Sequence, residues 1–195
     1  MALLFGLLAP LQLVNGLILK LGRAIAVGAL GIMVIVILLQ IFMRYVLNNA
    51  LPWPEEAARF LMLWMTGLIA PSAYRRGGFV AIDMLERAIA RRAAALLMLI
   101  LTFIGLVVLI VGIQLGYKHV NSGWLFASSS LKLPLGLIGG TTVKLKLAWM
   151  YMSLWVGIIL LTLVNIELLL RSVIGLLGGG DRLGPLGDGP MALAD

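Results

Sequence analysis

The sequence predicts an all-α integral membrane protein with four transmembrane helices, an N-terminal interfacial helix and a short amphipathic helix between crossings two and three. Two features of its composition predict this fold class: 62% of the 195 residues are hydrophobic and only 12% are charged, against about 25% charged residues in soluble domains. The third observation is that nearly all charged residues stand at the ends of long apolar runs. At ~1.5 Å per residue, runs of about 20 residues can span the hydrocarbon layer of a bilayer.

Residues 1–23 are predicted to form an N-terminal interfacial segment. The stretch is apolar but is interrupted by Pro10, Gln12 and Asn15, and it lacks the basic start and cleavage site of a signal peptide. Gln12 and Lys20 fall on one side of a helix and the leucines are offset from them, a pattern typical of a helix lying in the membrane surface. The alternative interpretation is that this segment is an additional crossing.

Four apolar runs within residues 24–170 are predicted to form the membrane domain. They cover about residues 24–43, 55–74, 93–117 and 147–170. Residues 83–92 are charged, with apolar residues three and four apart, which indicates an amphipathic interfacial helix or the polar start of the third crossing. Residues 118–146 are predicted to be a long polar-to-mixed loop. The Gly- and Pro-rich residues 171–195 lack periodicity and are predicted to be a flexible cytoplasmic tail.

The first end of the second crossing carries helix-start signals. Pro54 suits the first position of a helix because its missing N–H would have no partner there. Glu55 and Glu56 follow in the first turn, where the helix dipole favours negative charge. Arg59 lies four residues after Glu55, so it can form a local ion pair. The alternative is that Arg59 reaches a partner subunit.

The second end of this crossing is basic. Arg75 and Arg76 lie there, and Gly77 can stop the helix. Within the crossing Gly67, and small residues one and two turns after it, could let another helix approach closely. Small residues are also common in any membrane helix, so this pattern has an ordinary explanation as well.

Basic residues predict the orientation of the chain. With both termini in the cytoplasm, nine of the 15 Lys and Arg residues fall inside and six outside, and the densest cluster (residues 75–92) lies in a short inner loop. The loop between crossings three and four then lies outside. Its lysines, together with the one that ends crossing three, are candidates for docking a soluble partner: Lys118, Lys132, Lys144 and Lys146.

Several kinds of chemistry lack the residues they need. The chain has no Cys and one His, which excludes thiolate catalysis, Cys-ligated metal and bis-His haem ligation within this chain. No nucleophile elbow or phosphate-binding loop occurs. The expectation is therefore a non-enzyme without metal or cofactor. The formal net charge of +7 comes from residues between apolar runs, which meet lipid headgroups and set topology better than they would bind nucleic acid.

Polar residues are few near the middle of the crossings. The main ones are Gln40, Thr66, Thr102, Gln114 and Asn165. A solute path through the membrane needs polar residues or helix breaks there. The pattern therefore argues against a self-sufficient solute path in these four helices.

The segment between the first and third crossings carries a recognisable motif. Its residues are Arg44-Tyr45, Trp53, Glu55-Glu56, Ala58-Arg59, Arg75-Arg76-Gly77-Gly78 and Asp83. With Trp149, Tyr151 and Gly157 near the start of the fourth crossing, this pattern resembles the small permease subunit of tripartite ATP-independent periplasmic (TRAP) transporters, the DctQ-like family. The resemblance covers about residues 22–170.

The resemblance implies a three-part importer in a bacterial inner membrane. A periplasmic binding protein captures an organic acid (a C4-dicarboxylate, keto acid or sugar acid), and a large membrane subunit carries it inward, driven by sodium. The small subunit scaffolds the large one and helps to dock the binding protein. Candidate structural or subunit-interface residues are Arg44, Trp53, Glu55, Glu56, Arg59, Trp64, Arg75, Arg76 and Asp83. A stand-alone four-helix carrier or channel, or a scaffold subunit of another membrane complex, is the alternative.

Overall fold

The structure, a computed structural model, describes residues 2–77, 91–133, 143–179 and 183. Its elements in chain order are α1 (Ala2–Tyr45), α2 (Pro54–Arg75), α3 (Arg91–Gly123), β1 (Ala127–Leu133), β2 (Val143–Lys146) and α4 (Ala148–Ile174), followed by a π-helical turn at Gly175–Gly179. The predicted amphipathic helix at 83–92 falls almost wholly outside the described residues.

The four long helices form a row in the order α1, α2, α4, α3. Helix α1 packs on α2, α2 on α4 and α4 on α3, and α1 also contacts α4. In its most apolar stretch α4 has 39% of its residues buried, against 17% in α1 and 6% in α3. The middle of the row therefore holds the core, and the two outer helices expose most of their apolar surface.

Three helices in the described part of the chain are long and apolar enough to cross a membrane: Leu4–Tyr45, Ala93–Gly123 and Ala148–Gly179. They contain the predicted first, third and fourth crossings, and an α-helical membrane protein is confirmed in this form. Helix α2 has 22 residues but is less apolar, because it includes Glu55, Glu56, Arg59 and Arg75. Its assignment as the second crossing stays a prediction.

Helix α1 differs from the prediction of a separate N-terminal segment. It runs through 44 residues from Ala2 to Tyr45, about 66 Å, so the predicted interfacial segment and first crossing form one helix. Asn15 is only 2% exposed, whereas Leu13 and Leu17 are 76% and 64% exposed. Asn15 and Gln12 face the other helices, which supply their hydrogen-bond partners. Leu8 and Leu19 are buried on the same side of α1, whereas Lys20 is exposed.

Helix α2 begins and ends where its sequence predicts. Pro54 occupies its start, and Glu55 and Glu56 lie in its first turn. Gly77, with φ of +77°, follows its last turn, a conformation that glycine adopts without strain. These local signals are confirmed.

Close contact between α2 and α4 depends on two glycines. A Cβ added at Gly67 would lie 2.5 Å from the carbonyl oxygen of Ser153, and one at Gly157 would lie 2.9 Å from the carbonyl oxygen of Gly67. Both distances are too short for a side chain, so only glycine permits this backbone approach. Gly67 therefore serves the helix contact that its sequence position suggested.

The predicted loop at 118–146 contains regular structure. Helix α3 continues to Gly123, and β1 pairs with β2 in an antiparallel hairpin in which Lys132 lies opposite Lys144. This two-stranded hairpin is a small addition to a mainly α-helical membrane protein, which agrees with the predicted all-α class. At the other end of α4, the helix continues to Ile174, beyond the predicted start of the tail at residue 171.

Candidate functional site

A buried carboxylate on α4 is the centre of the polar contacts between the helices. The side chain of Glu167 is 0% exposed. Arg75 of α2 donates to it twice, from Nε to Oε2 at 2.9 Å and from Nη2 to Oε1 at 2.9 Å. Arg171, one turn further along α4, places its Nε 3.6 Å from Oε1. Two parallel hydrogen bonds of this kind fix geometry and are among the strongest that proteins make.

Helix α1 contributes Gln12 and Asn15 to the same cluster. Asn15 Nδ2 donates to Glu167 Oε2 at 2.8 Å and to the carbonyl oxygen of Leu163 at 3.2 Å. The backbone oxygen of Gln12 accepts from Arg75 Nη2 at 3.4 Å. With its amide oxygen turned toward α4, Gln12 also accepts from Arg171 Nη2 at 2.6 Å. We call Gln12, Asn15, Arg75, Glu167 and Arg171 the inner cluster.

The inner cluster carries one negative and two positive charges. Burial of an ionised group costs several kcal/mol, and the cost is offset only when the geometry is good and the remaining polar atoms are satisfied. Among the described residues, every buried side-chain nitrogen and oxygen has a hydrogen-bond partner. The cluster therefore holds three helices in register, and it leaves no polar group free to bind a solute.

A second set of polar contacts connects the remaining helix, α3, to the other three. Tyr74 donates from its hydroxyl to Asn165 Oδ1 at 2.5 Å, and Asn165 Nδ2 donates to the carbonyl oxygen of Thr102 on α3 at 2.9 Å. Arg23 Nη1 donates to Ser72 Oγ at 3.0 Å and joins α1 to α2. All four helices are thus linked by side-chain hydrogen bonds on the same side of the Gly67–Gly157 contact.

The other end of the molecule is organised around Glu56. Its Oε2 accepts from the backbone N–H of Ser130 at 3.0 Å and from the Ser130 hydroxyl. These bonds fix strand β1 against the start of α2. Arg59 Nη2 lies 3.2 Å from Glu55 Oε1, and the two side chains are 61% and 73% exposed. Arg59 therefore makes the local pair, and most of its surface stays available.

Aromatic side chains surround this second end. Trp64 Nε1 donates to the carbonyl oxygen of Trp149 at 3.2 Å, and the Trp149 ring meets the edge of Trp124 at 6.1 Å between centroids. The His119 and Tyr151 rings lie 4.1 Å apart. Clusters of tryptophan and tyrosine are typical of a membrane–water interface. We call this end, with the hairpin, the outer end, in accord with the predicted orientation.

The remaining candidates in the described part of the chain are Arg44, Trp53, Arg76 and the four lysines. Arg44 is exposed and stands over the ring of Tyr45 at 5.8 Å, and among the described residues it forms no ion pair with Glu55 or Glu56. Trp53 lines a cavity with residues of β1, and Arg76 is exposed where α2 ends. Asp83 falls outside the described residues. The four candidate lysines are all exposed.

The sequence predicted Arg75 as a candidate residue but did not predict its partner, Glu167. Glu167 lies 92 residues away, and its local sequence offers only Arg171, four residues later, as a partner. The available signal was that Glu167 is the one acidic residue in the fourth apolar run, and that Asn15 and Asn165 interrupt apolar runs in the same way. Among the described residues, no group of three or more His, Asp or Glu could hold a metal.

Comparison with known proteins identifies the family. The sequence model of one protein family, the DctQ component of tripartite ATP-independent periplasmic transporters, matches residues 33–175. The matched residues cover α2, α3, the hairpin and α4 and contain Arg75, Glu167 and Arg171. No curated protein matches the chain at a significant level. The family consists of transporter components rather than enzymes, and its name implies partner subunits. The chain therefore belongs to the DctQ family, the small permease component of TRAP transporters.

Proposed function

We propose that this chain is the small membrane subunit of a sodium-driven, binding-protein-dependent TRAP transporter that imports an organic acid through a bacterial inner membrane. In this proposal the substrate is a C4-dicarboxylate, keto acid or sugar acid. The chain scaffolds the large permease subunit and helps to dock the periplasmic binding protein. Its substrate-transport step takes place in the large subunit.

The scaffold role is supported by the hydrogen bonding of the polar side chains between the helices. The charged and amide side chains of the inner cluster are engaged with one another, and no buried polar side-chain atom in the described residues is left over. A carrier that binds an organic acid between its helices needs such groups available for the solute. A rigid, self-satisfied cluster suits a stationary part of a larger transporter.

Helices α1 and α3, at the two ends of the row, offer surface for the large subunit. No side chain of α1 between residues 27 and 45 is buried. On α3, Phe103 and Val108 are 59% and 63% exposed. Such apolar faces are compatible with lipid or with a second membrane subunit, and membership of a multi-subunit family supports the second for at least one of them.

The hairpin supports the docking role. Lys132 lies opposite Lys144 in the strand pairing, an arrangement that is unfavourable because like charges face each other. No Asp or Glu occurs anywhere between residues 87 and 166, so the local sequence provides no counter-charge. An acidic patch on the binding protein would relieve this repulsion.

Reconstituted uptake tests the proposal. Liposomes would receive this chain, the large subunit and the binding protein loaded with its organic acid, and uptake would be followed with and without an inward sodium gradient. We expect uptake only with all three components and with sodium. Uptake by the large subunit and binding protein alone at the full rate would contradict the scaffold role, and uptake by this chain alone would favour the stand-alone carrier.

A further inference from the structure

A groove runs along the contact between α3 and α4. It has a volume of about 540 Å³ and is lined by Gly112, Leu115, Gly116, Lys118, His119, Ser122, Leu154 and Ile158. Gly112 and Gly116 are one turn apart and let α4 approach closely, because a Cβ added at Gly116 would lie 2.9 Å from Cδ1 of Trp155 and one at Gly112 would lie 3.4 Å from Cγ2 of Ile158. Leu115 and Leu154 form its walls and are 59% and 58% exposed, so the groove opens toward the surroundings of the protein.

The polarity of the groove changes along its length. The part near Gly112 is apolar, whereas Lys118, His119 and Ser122 stand together at its other end. The ten residues from Gly112 to Ser122 correspond to about 15 Å along the helix. The polar end therefore lies at the end of a membrane-spanning helix, and the apolar end lies at the depth of acyl chains.

Aromatic contacts place the polar end at the level of the headgroups. The ring of His119 lies on that of Tyr151 at 4.1 Å, and the ring of Tyr117 lies 5.9 Å from that of Trp155. Lys118 is exposed and forms no ion pair within the described residues. A long Lys side chain at this depth extends toward the interface, where its ammonium group meets phosphate.

We propose that this groove binds one anionic phospholipid, with an acyl chain between Leu115 and Leu154 and the phosphate at Lys118. Charge complementarity selects the occupant, because a cation at headgroup level that forms no ion pair within the described part of the chain, above an apolar channel, matches an anionic headgroup above a hydrocarbon chain. The site does not depend on the transport role of the chain. Its occupant would be a lipid whatever the substrate of the transporter.

Native mass spectrometry of the purified protein, with any co-purifying subunit retained, tests the site. Phosphatidylglycerol or phosphatidylcholine would be added to the detergent-solubilised protein and retained lipid counted. We expect one phosphatidylglycerol to be retained in preference to phosphatidylcholine. Lys118→Ala should weaken its retention about fivefold, the effect of one lysine near an anionic surface. Lys144→Ala, at the same end but outside the groove, is the matched control and should retain the lipid.

Two results would overturn the proposal. One is equal retention of both lipids by the wild-type protein, and the other is equal loss in the two lysine variants. A second measurement tests the alternative occupant, a helix of the large subunit. Because the chain has no Cys, Leu115→Cys gives a unique site for a photo-activated crosslinker. Capture of phosphatidylglycerol is expected, and capture of the large subunit instead would contradict lipid binding.

Discussion

The inner cluster and the outer end use the same kinds of side chain in opposite ways. At the inner cluster Glu167 is fully buried and two arginines approach it, with side chains 11% and 10% exposed. At the outer end Arg59 and Glu55 pair at 3.2 Å while both remain mostly exposed. The difference teaches that burial, rather than the presence of an ion pair, separates the contacts that hold the helices from those available to partners.

Removing the charge of Glu167 should have the largest effect. Glu167→Gln keeps the size of the side chain but leaves Arg75 and Arg171 buried without an anion. We expect a loss of about 3–5 kcal/mol in the free energy of unfolding, the usual effect of breaking a buried pair. Thermal unfolding of the purified protein in detergent and its yield would measure it.

The control is Glu55→Gln at the exposed pair, which should change stability by about 0.5 kcal/mol or less. Equal stability of the Glu167→Gln variant and the wild-type protein would mean that the inner cluster does not hold the helices.

Two arginines of α2, one mostly buried and one mostly exposed, test the geometry of the same cluster. Arg75→Lys keeps the charge but loses the two parallel hydrogen bonds, because an ammonium group cannot reproduce the planar fork of Arg. We expect destabilisation of about 1.5–3 kcal/mol. Arg59→Lys, at the exposed pair with Glu55, should have almost no effect, and equal effects of the two changes in thermal unfolding would remove the special role of Arg75.

The outer lysines should affect association rather than stability. Replacing both Lys132 and Lys144 by Gln should lower the association rate of the binding protein about tenfold at low salt, because long-range attraction speeds encounter, and the difference should shrink as salt rises. Surface plasmon resonance on the reconstituted complex would measure it. Lys20→Gln, predicted to lie on the inner side, is the control, and salt-independent association of the wild-type protein would contradict the lysine role.

Arg59→Ala should have the smallest effect on the isolated chain. An exposed pair contributes about 0.2–1 kcal/mol, so the thermal unfolding curve should hardly move. Recovery of the large subunit during purification is the sharper readout. Normal recovery would favour the local pair with Glu55, whereas reduced recovery at normal stability would show that Arg59 also contacts the partner subunit.

The sequence predicted the features that depend on neighbouring residues. Pro54, the glutamates after it and Gly77 mark the ends of α2 because capping and helix stopping act within one turn. The pairing of Arg75 with Glu167 was not predicted, because it joins helices that are distant in the chain and nothing local selects the partner. A lone acidic residue in an apolar run indicated only that some partner was required.

Two further differences have physical reasons of the same kind. The periodicity of α1 correctly separated the side of Gln12 from that of Leu13, but periodicity does not say which side meets protein. Gln12 and Asn15 face inward because Arg75, Glu167 and Arg171 bind them. The sequence predicts a loop at residues 118–146 rather than a hairpin, because the alternation of Leu and Lys extends over only a few residues in each strand.

Co-purification tests the central claim most directly. The tagged chain would be isolated from membranes in mild detergent, and the proteins that accompany it would be identified and counted by mass spectrometry. We predict a large, multi-pass membrane protein in equal amount, as expected for a small subunit that scaffolds a permease. Recovery of the chain alone, folded and stable, would contradict that role and make the stand-alone carrier the better explanation.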